Sequence, residues 1–244
     1  MVIKTTMRQC SLTYQAAKWA YQPLKAMIFW IKRLKARAHA RGFVRAYLTR
    51  DGFKALQVGC GPYIKWDWLN SDLLDNARRK LYVDITEPLP LPDNSLDAIY
   101  AAEVIEHIPE NNAIFFFEQA SRVLKPGGVL RMTTPDLAEI CRLFIGQCEK
   151  GRIEQFAEIW LGPRFTPERW VNSQFLDHGH RCIYTFGSLR DALNQAGFDE
   201  IVQCEPQETK SQYPQLQNLE DRYGKTPPTW YFARTLIVEA TKKP

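Results

Sequence analysis

No stretch of this 244-residue chain approaches the roughly 18 to 20 consecutive apolar residues that a membrane-spanning helix needs. The longest apolar run near the amino end, AMIFWI at Ala26–Ile31, has a lysine on each side, so neither a spanning helix nor a secretory leader is expected. Paired cysteines are also missing. Cys10, Cys60, Cys141, Cys148, Cys182 and Cys204 are scattered, with no CxxC pair, which argues against a zinc ribbon or a disulfide framework and for reduced thiols in a cytosolic protein. Internal repeats and low-complexity tracts are absent. With 45% hydrophobic and 24% charged residues, the composition excludes a disordered or fibrous chain and suits one full core.

Acidic residues are nearly missing from the first 54 positions, where Asp51 stands alone against twelve Lys or Arg. That segment carries +11, so with a total of +5 the remaining 190 residues sum to −6. The pattern is a basic arm on an acidic body. Lys18, Lys25, Lys32, Lys35 and Arg45 interleave with Trp19, Tyr21, Leu24, Ile28, Phe29, Ile31 and Leu34, a basic amphipathic helical pattern interrupted near Pro23. Two readings stand: the arm lies on an anionic membrane surface or nucleic acid, or its apolar stripe packs on the domain and its charges are solvated.

Beyond the arm, short β-rich runs alternate with helical stretches, the signature of an α/β sheet. Strands are expected at Ala55–Val58, Trp68–Asp72, Leu81–Val83, Leu96–Ala101, Val129–Thr134, Glu200–Cys204 and Thr235–Ala240. Helices are expected at Asn111–Leu124, at Asp136–Lys150 and at Ser188–Ala196. Lys125-Pro126-Gly127-Gly128 reads as a helix stop and turn. Phe115, Phe116 and Phe117 belong to a helix's core face. The long stretch from Gly151 to Tyr184 reads as a helical cap over a substrate pocket, with Trp160, Phe165, Trp170, Phe175 and Tyr184 as its aromatics.

Chemistry concentrates where the strands end. Leu56-Gln57-Val58-Gly59-Cys60-Gly61-Pro62 runs an apolar strand into two glycines, which permit a tight turn and let backbone N–H groups approach a nucleotide-like ligand. Asp72, at the end of the next strand, suits the two hydroxyls of a ribose. Asp84 suits an adenine amino group.

The ordered set VGCGP, SDL, VDI, LPDNSLDAIYAAEVIEHIP and RVLKPGGVLRMTTPD resembles class I S-adenosylmethionine-dependent methyltransferases, in particular the bacterial type 11-like group, over roughly residues 53–204. The resemblance implies an α/β, Rossmann-like fold: a seven-stranded, mostly parallel sheet with helices on both faces, the last strand antiparallel, and a helical cap at about 151–184. Residues 1–50 would be the basic arm and 51–244 the methyltransferase domain. It also implies S-adenosylmethionine as cofactor, with Gly59, Cys60, Gly61 and Pro62 along the methionine and ribose, Asp72 and Leu73 at the ribose, Asp84 and Ile85 at the adenine, and Ala102 and Glu103 beside the methyl donor. Two features depart from the family's pattern: a third glycine and the long first crossover helix are missing, which leaves Tyr63, Lys65 or Trp66 to wall the methionine carboxylate.

Methyl transfer from a sulfonium needs a positioned acceptor and, for a hydroxyl, a proton acceptor. If a helix begins at Glu103, then Glu103, Glu106 and His107 share one face. Three uses of that face remain open: Glu106 and His107 as metal-free catalytic groups, a site for Mg²⁺ or Mn²⁺ formed by Glu103, Glu106, His107 and His178, or packing alone. The spelling ExxEH is similar to that of ubiquinone-pathway O-methyltransferases and of small-RNA 2′-O-methyltransferases, in which the cluster is tied to a metal. His178, His180, Arg181 and Tyr184 are the candidate substrate contacts. The favoured activity is O-methylation of a small molecule, a sugar or glycan, or a lipid-linked acceptor, by a cytoplasmic protein with peripheral contact at the inner face of a membrane. The rivals are an RNA 2′-O-methyltransferase, against which the acidic body argues, and a catalytically inactive cofactor-binding partner protein. The sequence leaves the oligomeric state open.

Overall fold

The computed structural model describes residues 40–73, 80–148, 166–220 and 234–244. The expected arm up to residue 39, with its basic amphipathic pattern, lies outside the described residues. So do the first part of the expected cap and its Trp160 and Phe165.

Residues 40–48 form a helix, α1, whose Ala40, Val44 and Tyr47 recur at spacings of three and four and are buried in the core. The Tyr47 hydroxyl accepts a hydrogen bond from Ala55 N at 2.8 Å and donates to the carbonyl of Asp67 at 3.2 Å. One side of the carboxyl end of the expected arm, at Ala40, Val44 and Tyr47, therefore packs in the core, while Arg41, Phe43 and Arg45 are exposed.

The sheet contains β1 (Ala55–Val58), β2 (Leu69–Asp72), β3 (Leu81–Tyr82), β4 (Leu96–Ala102), β5 (Leu124–Pro135), β6 (Phe198–Gln203) and β7 (Thr235–Lys242), in the order β3-β2-β1-β4-β5-β7-β6. β7 runs antiparallel to both β5 and β6, and the pairs among β1 to β5 are parallel. The helices are α2 (Glu110–Val123), α3 (Leu137–Phe144), α4 (Pro167–Leu176) and α5 (Phe186–Gln195). This is the expected Rossmann-like sheet with its last strand antiparallel.

The two faces of the sheet are built differently. On one face lie Leu56 and Val58 of β1, Ile99 and Ala101 of β4, Leu130 and Met132 of β5, and Val238 and Ala240 of β7, packed with Phe116 and Phe117 of α2 and Leu189 and Leu193 of α5. The other face carries Ala55, Ala98, Tyr100 and Val129 under Leu216 and Leu219. Those last two belong to the strap, residues 204–220, which crosses this face after β6.

The register aligns Gln57, Tyr100, Arg131 and Glu239 in one row across four strands on the strap face. Arg131, 0% exposed, donates to Glu239 Oε1 at 2.7 Å from Nη1 and to Glu220 Oε1 at 2.7 Å from Nη2 and 3.0 Å from Nε. Glu220 and Glu239 are equally buried, and their remaining lone pairs accept from Gln207 N, Thr209 Oγ1 and Lys210 N. A buried arginine survives only with such complete pairing. Sequence reading missed this strap, because nothing in its polar spelling marks a covering segment.

Several local boundaries differ from expectation, three of them for a visible reason. β5 starts at Leu124, not Val129: Leu124 pairs with Leu96 and Val129 with Ala98, so Lys125-Pro126-Gly127-Gly128 is a bulge inside the strand, not a turn before it. A Cβ on Gly128 would stand 2.8 Å from the Lys125 carbonyl oxygen, which is why glycine sits there. α3 begins after Asp136, whose side chain caps Ala138 N and Glu139 N, and ends at Phe144. α5 starts at Phe186 because Thr185 and Ser188 form a capping box, two residues before the expected start.

Candidate functional site

The site-bearing residues gather at the carboxyl ends of β1, β2 and β4. β1 has β2 on one side and β4 on the other, so the strand order reverses here and a crevice opens at the strand ends. Gly59 takes φ +59° and Gly61 φ +52°. A Cβ on Gly59 would lie 2.6 Å from Val104 Cγ2, so the close approach of β1 to the segment after β4 requires glycine. Asp72 Oδ2 accepts from Gly61 N at 2.8 Å, and the Gly61 carbonyl accepts from Lys80 Nζ.

Cys60 is buried and its N–H donates to the Ser71 carbonyl at 3.0 Å, whereas Pro62 and Leu73 are exposed. Asp84 is half-buried, and its Oδ1 accepts from Thr86 N and Oγ1, while Ile85 is core. Ala102 is half-buried at the end of β4. Residues 59–68 make turns only, so no helix joins β1 to β2. Of the residues offered as a wall there, Trp66 is 77% and Tyr63 43% exposed. The Lys65 backbone is fixed by the Asn70 side-chain amide, which accepts from Lys65 N and donates to its carbonyl.

A helix beginning at Glu103 is not found. Glu103 takes φ +53°, and only one 3-10 turn, Ile105–His107, follows before α2 begins at Glu110 with Pro109 as its N-cap. Glu103 therefore leaves the shared helical face, and its Oε1 accepts from Thr133 Oγ1 at 3.4 Å. The turn has a buried half, Ile105 and Glu106, and an exposed one, His107.

The segment after α4 docks on this turn, since Arg181 N and Cys182 N donate to the Glu106 carbonyl at 2.6 and 3.2 Å. That docking brings His180 to His107, with ring centroids 5.0 Å apart, and His178 stands 5.6 Å from His180. One donor atom from each of Glu106, His107 and His180 lies within 4.8 Å of the others. Among the described residues this trio, which lacks Glu103 and His178, is the group with metal-ligand spacing.

Glu106 is fully buried. Its Oε2 accepts from Thr134 Oγ1 at 3.1 Å, and its Oε1 makes no hydrogen bond among the described residues but stands 3.8 Å from His107 Nε2. Burial, and then the negative charge of Glu103, push its carboxyl well above the usual carboxylate range. His180 Nδ1 lies 2.5 Å from the Gln174 carbonyl. A carbonyl only accepts, so Nδ1 carries the proton and Nε2 the lone pair. Burial, reinforced by the nearby His107, His178 and Arg234, lowers His180 to about 4 against the hydrogen bond to Gln174.

Of the other expected substrate contacts, His178 and Arg181 are exposed on the docking segment. Tyr184 is core, and its carbonyl accepts from Leu137 N at 2.9 Å. Trp170 is buried and Phe175 exposed. Thr134, Gln174, Arg234 and Lys80 belong to the site's surroundings without having been legible; for Thr134 the signal was its place at the carboxyl end of β5.

Part of the chain is similar to known methyltransferases. A methyltransferase-domain family model matches residues 69–132. The chain is 32% identical over 130 residues to a probable S-adenosylmethionine-dependent methyltransferase of Mycolicibacterium smegmatis, covering 44% of this chain and 46% of the relative. It is 34% identical over 88 residues to the sterol 24-C-methyltransferase ERG6B of Gibberella zeae, covering 36% and 21%. The chain thus spans less than half the length of either curated relative. A solved SAM-dependent methyltransferase from Archaeoglobus fulgidus aligns over 84% of this chain and 94% of its own at 14% identity and a TM-score of 0.44.

Over the matched residues the chain is thus similar to S-adenosylmethionine-dependent methyltransferases. That similarity implies S-adenosylmethionine as the cofactor. The residues present fit it: a glycine turn with no room for a Cβ at Gly59, and a carboxylate at the end of β2.

Proposed function

We propose that the chain is a methyltransferase that uses S-adenosylmethionine to methylate an oxygen of a small molecule, a sugar or glycan, or a lipid-linked acceptor. The observation that carries the reading is the placement of a buried acid and two imidazoles beside the glycine turn. The cofactor supplies a methyl group already activated on a sulfonium. When bound, it would deliver that methyl to the acceptor oxygen and leave as the neutral thioether. The acceptor's hydroxyl proton passes to the half-exposed His107 imidazole. The imidazolium so formed stands 3.8 Å from Glu106 Oε1 and would stabilise the anionic form of that carboxyl. His178 and Arg181 line the acceptor's approach. The basic arm gives peripheral contact with an anionic membrane surface, and no helix of the described residues is long and apolar enough to cross a membrane.

A second reading, RNA 2′-O-methylation at a divalent ion, is favoured by the spacing of Glu106, His107 and His180. Burial raises the Glu106 carboxyl, so binding of a cation there would be coupled to loss of its proton.

Titration of metal-stripped protein with adenosylhomocysteine, alone and with Mg²⁺ or Mn²⁺, tests the first point, and micromolar binding without metal is expected. Transfer of labelled methyl from S-adenosylmethionine into separated small-molecule, lipid and RNA fractions tests the second. Label in the small-molecule or lipid fraction, lost in His107→Ala with cofactor binding retained, supports the proposal. Metal-dependent label in RNA replaces it with the second reading, and no binding at all leaves an inactive relative.

A further inference from the structure

We propose that Lys80 is a positioning residue of the cofactor site, acting through the glycine turn; this rests on the reading of Gly59–Pro62 as the cofactor turn. In a nucleotide-binding α/β unit, the turn after the first strand runs directly into a helix. The first N–H groups of that helix face the ligand, and its close packing holds the glycines in place. Residues 59–68 lead to β2 through turns alone, and Pro62 has no N–H to give. The support of a following helix is therefore missing on the carboxyl side of the glycines.

Two side chains from much farther along the chain take its place. The peptide unit before the Gly61 Cα is held by its N–H, which donates to Asp72 Oδ2 at 2.8 Å. The unit after it is held by its carbonyl, which accepts from the Lys80 ammonium. With both flanking units gripped, φ and ψ of Gly61 are fixed in the left-handed region, which glycine would otherwise leave at little cost. Charge complements the backbone at each point: an anion meets the N–H and a cation meets the carbonyl, the stronger class of hydrogen bond. The neighbouring backbone ties the same pieces together, since Cys60 N donates to Ser71 O at 3.0 Å, Tyr63 N to Cys60 O at 2.9 Å and Val83 N to Asp72 O at 3.3 Å. Asp72 is the last residue of β2 and Lys80 directly precedes its parallel partner β3, so residues from two neighbouring strands set the shape of the turn after a third.

Removal of the ammonium releases one of the two flanking units. The fraction of molecules with the turn in its binding shape falls, and apparent affinity falls with it. Because Lys80 works through the turn, the loss does not depend on the amino-acid arm of the ligand. Titration of full-length wild type, Lys80→Met and Lys80→Arg is made with two probes: adenosylhomocysteine, and 5′-methylthioadenosine, which lacks the amino and carboxylate groups. Lys80→Met is expected to weaken both probes by about tenfold, the loss of one charge-assisted hydrogen bond. Lys80→Arg, which keeps the cation, is expected to recover most of the loss, and all three proteins are expected to melt within a few degrees of one another. Undiminished binding of both probes by Lys80→Met overturns the inference. A loss confined to adenosylhomocysteine also overturns it and makes Lys80 a direct partner of the cofactor's carboxylate. A wild type that binds neither probe fails the cofactor reading itself, a result distinct from either of these.

Discussion

One face of the sheet is closed by helices and the other by a strap, and the two closures rest on different physics. Under α2 and α5 the contacts are aliphatic and aromatic side chains with no polar partner to satisfy, so burial there is non-directional and tolerant of small rearrangement. Under residues 204–220 the central contact is a buried arginine between two buried carboxylates, with Tyr100 donating to the Leu219 carbonyl at 3.2 Å. Such a contact is directional: complete, it fixes one path of the strap; broken, it leaves charge in a low-dielectric interior.

The sharpest way to break the comparison is Arg131→Leu. Two unpaired buried carboxylates should cost about 3 to 5 kcal/mol in urea unfolding. Replacing all three members, Arg131→Met with Glu220→Leu and Glu239→Leu, should regain most of that loss, since the charges rather than the volume are at stake; a triple variant no better than the single one would make the cluster a net source of stability. On the helix face, Leu193→Ala should cost about 2 to 5 kcal/mol through a cavity, with the same loss at low and high salt. Tyr100→Phe removes one buried hydrogen bond and leaves the Leu219 carbonyl unmatched, about 1 to 3 kcal/mol. Proteolysis should then open the strap before the helices, and simultaneous loss of both faces would show them to be one cooperative unit.

The smallest effect is a matter of pH at the candidate site. His180 has a folded value of about 4, below its ordinary 6.5, so the unfolded chain binds more protons and stability falls as pH drops from 6.5 toward 4. Glu106 is raised, so the folded state holds the extra proton and its contribution declines as pH climbs from the ordinary carboxylate range through the raised value. Thermal melts with a chelator present should show His180→Asn flattening the acid limb and Glu106→Gln the alkaline one. A wild-type melting temperature independent of pH between 4 and 8 would place both groups in ordinary solvent.

Much of the fold was legible because it depends on local spelling. The apolar runs at Leu56, Ile99 and Leu130 and the glycines after β1 are strand and turn signals within a few residues of one another. Errors fell where distant groups decide. The Lys125–Gly128 bulge depends on the pairing of Leu96 with Leu124, and Glu103 leaves the expected helix because its segment must fit against Gly59. The candidate site divides in the same way. Glu106 and His107 could be found as neighbours in one motif, whereas the partner that reaches them is His180, because Arg181 and Cys182 donate to the Glu106 carbonyl.

The sequence by itself determined the alternation of strands and helices, the glycine turn, the acids at the strand ends and the charge asymmetry of the first 54 residues, since all of these are properties of neighbours along the chain. Only the tertiary structure decided that Arg131 lies between Glu220 and Glu239, that burial pushes the Glu106 carboxyl upward, and that Asp72 and Lys80 share Gly61. Each of these depends on burial and on distances between residues 11 or more positions apart, and no local pattern records either quantity.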